Sequence, residues 1–167
     1  MDAADFKRMF LAMMSNKDNR FHPLVWINGD PVVGEGTYIG GLSEVNAKGA
    51  RVSIGRNCDI ASFVAINVAD SHKRNIGVSP SSDIRDITIG DNVFIGSHAV
   101  ILGGTVIGDN SVVGAGTVVR GLTVPPYSLV VGNPAVVKPG YYRRKKPAAR
   151  KIARVRARRA KARRRTS

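Results

Sequence analysis

Cysteine, tryptophan and histidine are nearly missing from these 167 residues, which hold one Cys, one Trp and three His. A lone cysteine, Cys58, excludes an intrachain disulfide and points to a reducing, cytoplasmic setting. Three histidines, His22, His72 and His98, lack the close spacing by which clustered imidazoles hold zinc, so no metal is expected. No run reaches the roughly eighteen apolar residues a membrane-spanning helix needs, and no signal-peptide pattern opens the chain. Acidic residues are absent from Arg143 to Ser167, a segment with ten Arg and four Lys. The net charge of +14 therefore lies in that segment, and residues 1–142 balance twelve basic against twelve acidic side chains. A neutral body and a cationic tail need separate explanations.

The body is organised by a period of six. Ile89, Ile95, Ile101, Ile107, Val113 and Val119 stand six apart, as do Val33, Ile39, Val45 and Ile54, Ile60, Ile66. Six matches neither a helix at 3.6 nor a free strand at 2, so the pattern is a structural repeat. The following position is small in most units (Gly34, Gly40, Gly55, Ala61, Gly90, Gly96, Gly108, Gly114). Four residues after the aliphatic comes a mostly small, inward residue, among them Thr37, Ser43, Cys58, Ala99, Thr105, Ser111, Thr117 and Thr123. Short strand, bend and small inward residue make one side of a triangular coil of about eighteen residues. Stacked coils form an all-β parallel β-helix, and Cys58, in an inward slot, is structural.

Three segments follow from this pattern. Residues 1–20 read as an amphipathic cap helix, with Phe6, Met9, Phe10, Met13 and Met14 on its apolar side. Residues 21–140 hold the coils, beginning near Val33, Ile54, Ile89 and Ile107, after an irregular lead-in whose Trp26 is expected to cover the open end of the core. Ile66 and Ile89 lie twenty-three apart where six would continue the repeat, so residues 67–88 are extruded as a loop containing Asp70, Ser71, His72, Lys73 and Arg74. Long loops on a rigid repeat scaffold are where such folds keep their function. Residues 141–167 are the Arg- and Ala-rich tail.

Residues 54–138 resemble the hexapeptide-repeat acyltransferases, in the branch of galactoside, maltose and xenobiotic acetyltransferases. The likeness rests on Ile54-Gly55, Ile60-Ala61-Ser62, the loop Asp70-Ser71-His72, Ile89-Gly90-Asp91-Asn92-Val93-Phe94-Ile95-Gly96-Ser97-His98, Gly114-Ala115-Gly116-Thr117 and Gly132-Asn133-Pro134-Ala135. The resemblance implies a left-handed coil, a homotrimer with sites between adjacent prisms, and acetyl transfer from acetyl-CoA to a hydroxyl or amine of a sugar or nucleotide-sugar acceptor. His72 stands where that family has its general base, and an imidazole, with an unperturbed pKa near 6.5, accepts a proton at neutral pH. Ser97, Ala115 and Gly116 fall on its pantetheine strip, Arg120 and Lys138 near its phosphate contacts, and Asn67 and Asp70 beside its acceptor. The basic residue usual after the fourth coil comes one place early, as Arg120, and the Arg usual after Gly-Asn-Pro-Ala is Val136. His98, at an outward repeat position, has no chemical role in this reading, and His22 is structural.

The tail attracts polyanions, nucleic acid or anionic membrane, without reading base sequence, because it has no aromatic interleaving. A solvated tail with no partner fits its composition equally. The rival to an enzyme is a catalytically silent β-helix scaffold carrying that tail. The acceptor itself, and O- against N-acetylation, are not legible.

Overall fold

The computed structural model describes residues 2–13, 20–21 and 24–143. The tail from residue 144 onward, Met14 and His22 lie outside the described residues.

The six-residue period resolves into three parallel sheets that form the faces of a left-handed prism. On one face Ile39, Ile60, Ile95, Val113 and Val130 align rung on rung, and each is fully buried. A second face stacks Val33, Ile54, Ile89, Ile107 and Val124. The third stacks Ile27, Val45, Ile66, Ile101 and Val119. Each strand is only two or three residues long; most put one large aliphatic into the interior, and Val52–Ile54 and Ile87–Ile89 put in two. Burying such a side chain contributes about 1.5–3 kcal/mol.

The small residue after each aliphatic has a steric cause. A Cβ on Gly34 would stand 2.6 Å from the Gly55 backbone, and one on Gly55 2.5 Å from the Gly90 backbone. At these corners adjacent coils meet backbone to backbone. Inward hydroxyls tie the coils together: Thr37 Oγ1 donates to the Gly55 carbonyl at 2.7 Å and accepts the Cys58 N–H at 3.0 Å. Cys58 itself is buried, its Sγ donates to the Gly90 carbonyl at 3.1 Å, and burial pushes its thiol pKa up.

Several expectations shift. The lead-in strand, Trp26–Asn28, is a regular rung paired with Glu44–Asn46; Val25 and Ile27 point inward, and Trp26 stands on the outer side between them. The coil beginning at Val33 carries extra residues around Gly49, so Val33 pairs with Ile54 rather than with a residue eighteen on. The last step is one residue short, which aligns Val124 rather than Pro125 with Ile107. Thr123 is thereby turned outward, and a fifth coil is added through Leu129–Val131. Gly132 (φ 93°) and the cis Asn133–Pro134 peptide reverse the chain, so Val136–Lys138 runs antiparallel to that last strand. The N-terminal helix α1 (Ala3–Met13) leaves Phe6, Met9 and Met13 exposed.

Candidate active site

The corners after the first two faces place the third residue after the aliphatic in the left-handed region, which Gly and Asn tolerate best. Between the second and first faces Asn57, Asn92 and Asn110 take that position. At the corner entering the third face the same position holds Leu42, Phe63, His98 and Gly116 (φ 60–66°). Phe63 and His98 stack there, ring centroids 4.8 Å apart and planes 11° from parallel. Ser97, Ala115 and Gly116 share this corner: the Gly116 N–H donates to the Ser97 carbonyl at 2.9 Å, and Ala115 and Gly116 are exposed. A Cβ on Gly116 would meet nothing.

The extruded loop leaves the opposite edge of the third face. Ala69–Asp70 pairs antiparallel with Asp83–Ile84, and the short helix α2 (His72–Asn75) sits between them. Asn67 turns the chain into the loop, its Oδ1 accepting the Ala69 N–H at 2.9 Å and the Asn46 Nδ2 at 3.2 Å. Asp70 then gathers three donors. Its Oδ1 accepts His72 Nδ1 at 2.5 Å and the His72 N–H at 3.2 Å, and its Oδ2 accepts Arg120 Nη2 at 2.8 Å. The His72 ring, then its backbone N–H, hold the Asp70 carboxyl below the usual carboxylate range, and the Arg120 charge adds to the effect.

An ionised carboxylate has no proton to donate, so in the neutral imidazole of His72 Nδ1 carries the hydrogen and Nε2 the lone pair. No described residue is hydrogen-bonded to Nε2, and the side chain is 43 % exposed. The geometry suits a general base.

Two groups of residues therefore emerge. His72, Asp70, Arg120 and Asn67 converge at the edge where the loop leaves; Ser97, Ala115 and Gly116 form a strip at the other edge of the same face. A three-residue strand such as Val100–Leu102 separates those edges by about 10 Å or more. Lys138 joins neither group: it lies opposite Leu129, at the start of that strand, and is exposed. Among the described residues no group of His, Cys, Asp and Glu is arranged to hold a metal ion, and no helix is long and apolar enough to cross a membrane.

The Arg120–Asp70 pair and the Phe63–His98 stack are absent from the sequence reading. Coil register brings each together. Phe63 and His98 each stand three past a paired aliphatic, a signal present once Ile60 and Ile95 are known to be partners. Arg120 ends a rung two coils beyond Asn67, a relation that depends on loop length.

Residues 86–121 match the family described as bacterial transferase hexapeptide, six repeats. Among curated proteins nothing matches the sequence. Among solved structures, the polySia-specific acetyltransferase NeuO is 28 % identical with a TM-score of 0.59, over 71 % of this chain and 52 % of its own. The chain thus spans about half of NeuO. A hexapeptide-repeat-containing acetyltransferase of Vibrio cholerae is 26 % identical with a TM-score of 0.57, over 83 % and 80 % of the two chains. A maltose O-acetyltransferase of Clostridium difficile is 25 % identical with a TM-score of 0.50, over 81 % and 84 %.

Proposed function

We propose, for a chain that belongs to the hexapeptide-repeat transferases, transfer of an acetyl group from acetyl-CoA to a hydroxyl or amine of a sugar, with His72 as general base. The observation that carries this reading is the Arg120–Asp70–His72 chain of contacts, which leaves Nε2 as the basic nitrogen. Likeness to acetyltransferases of polysialic acid and maltose favours a saccharide acceptor. Nε2 takes the acceptor's proton as its oxygen or nitrogen attacks the thioester carbonyl. The C–S bond then breaks, and the imidazolium returns the proton to the departing sulfur. Such a base contributes about 10²–10⁴-fold in rate.

Ser97, Ala115 and Gly116 supply small side chains and accessible backbone along which an extended pantetheine arm can lie. Within one chain that strip and His72 are a face-width apart, which favours a homotrimer in which one copy's loop approaches the next copy's strip. Arg120 serves Asp70 in this scheme, which leaves donor phosphates to Lys138 and to the basic tail.

His72→Ala is expected to lower turnover at least about a hundredfold while leaving assembly and acetyl-CoA binding unchanged. Steady-state kinetics, light scattering and calorimetric titration of acetyl-CoA read these three quantities. Normal turnover would remove His72 from the chemistry, and absence of acetyl-CoA binding by the unaltered protein would return the chain to a silent scaffold.

A further inference from the structure

The loop beside His72 carries three acids, Asp70, Asp83 and Asp86, against Lys73, Arg74 and Arg85, and their side-chain pairing is uneven. Asp70 is taken by His72 and Arg120, and Asp83 by Lys73 Nζ at 2.9 Å. Asp86 Oδ1 accepts the Arg51 backbone N–H at 2.9 Å. Arg74 and Arg85 remain, both exposed, and among the described residues neither guanidinium has a carboxylate partner. Arg74 projects from α2, whereas Arg85 is held in place. Its backbone N–H donates to the Val68 carbonyl at 3.0 Å, which closes the base of the loop. Its guanidinium lies on a corner built of glycine: a Cβ on Gly104 would stand 3.2 Å from Arg85 Nη1, and one on Gly121 3.7 Å from it. Both glycines have positive φ (83° and 62°), so the corner is bare for a backbone reason and the guanidinium occupies the space. Gly121 directly follows Arg120, the residue bound to Asp70. The planar fork thus lies over the Gly104 and Gly121 corner, on the side of the prism that carries Arg120, with its N–H donors open to solvent.

We infer that Arg85 is an anion site, and that the acceptor carries a carboxylate or phosphate close to the hydroxyl or amine that is acylated. The assignment of this anion to the acceptor rests on the acyl-transfer reading; the anion site itself does not. A guanidinium fork pairs in two-point fashion with either oxyanion, and both charge-assisted contacts are stronger than neutral ones. A neutral acceptor would leave a positioned guanidinium unused on that side of the prism.

The test uses the full chain, with and without Arg85→Gln, titrated with glucuronate, glucose 1-phosphate and glucose. The Gly104 and Gly121 backbone amides are followed by NMR, which separates local binding from anions gathered by the basic tail. Both anionic sugars, or one of them, should shift these amides saturably where glucose does not. R85Q should weaken that binding tenfold or more, and R85K should keep most of it. A response to glucuronate alone assigns a carboxylate, and to glucose 1-phosphate alone a phosphate. Equal shifts with glucose, or shifts that survive R85Q, overturn the inference. With acetyl-CoA present, the ratio of anionic to neutral sugar acetylated should fall tenfold or more in R85Q. Arg85-dependent shifts without any acetylation would retain the anion site and remove the transferase reading; acetylation without such shifts would do the reverse.

Discussion

At the scale of single residues, the contact that matters most is Asp70 to His72. The two are separated by one residue in sequence, yet a 2.5 Å contact between Oδ1 and Nδ1 needs the local bend that starts α2 and the second anchor from Arg120. Asp70→Asn replaces an acceptor with an amide that can donate to Nδ1, which would move the imidazole proton to Nε2 and remove the lone pair. Turnover in D70N is expected to fall about a hundredfold or more at pH 7, measured with acetyl-CoA and a saccharide acceptor. The stability effect has a fixed sign. Folding depresses the Asp70 pKa, so its contribution is present above the ordinary carboxylate value and is lost as pH falls through the lower, folded one. Thermal melts of wild type and D70N should therefore differ at neutral pH and converge in strong acid. A difference that grew on acidification would contradict the ionised carboxylate on which the proposed base depends.

At the scale of the element, the unit is a rung of two or three residues that owes its stability to the rungs above and below. Ile95 is fully buried between Ile60 and Val113 and shows how much one position carries. Ile95→Ala is expected to cost about 2–5 kcal/mol, read from denaturant unfolding, because a rigid stack closes poorly around a cavity. The rungs were legible in sequence, since a hexad with one aliphatic and one small residue has few other physical readings. Ile54, Ile89 and Ile107 stand in register on successive rungs. Thr123 was misplaced because the period drops by one between Val119 and Val124, and a strand offset by one residue turns every side chain to the other side. Trp26 was misplaced for a related reason: the lead-in continues the alternation, which puts Val25 and Ile27 inside and the indole outside. Local composition suggested a plug, and register decided otherwise.

At the scale of the whole molecule, one prism separates the proposed base from the proposed donor strip by a face. If adjacent copies complete the site, catalytic function should complement in trans. Mixing His72→Ala with a variant that blocks the strip, such as Ser97→Trp, should after subunit exchange restore part of the activity that each homo-oligomer lacks. Activity assays before and after exchange, with light scattering to follow assembly, make the check. No recovery despite exchange would place base and donor in the same chain. The tail from residue 144, outside the described residues, is not needed for any contact in this scheme except with donor phosphates.

Sequence alone determined the coil, because its causes are local and repeated: an aliphatic large enough to fill the centre, and a residue small enough where backbones meet at the corners. It also located the extruded loop, since a break in a strict period is itself a signal. The sequence-derived family resemblance pointed to His72 within that loop. Tertiary structure decided which groups gather on the side of the prism where His72 sits: Asp70 against its ring, Arg120 against Asp70, and Arg85 over the nearby glycine corner. Asp70, Arg120 and Arg85 come from the loop's two ends and a later coil, and their placement depends on loop length, coil register and the bare corner at Gly104 and Gly121. Those are properties of distance in space, which a six-residue period does not encode.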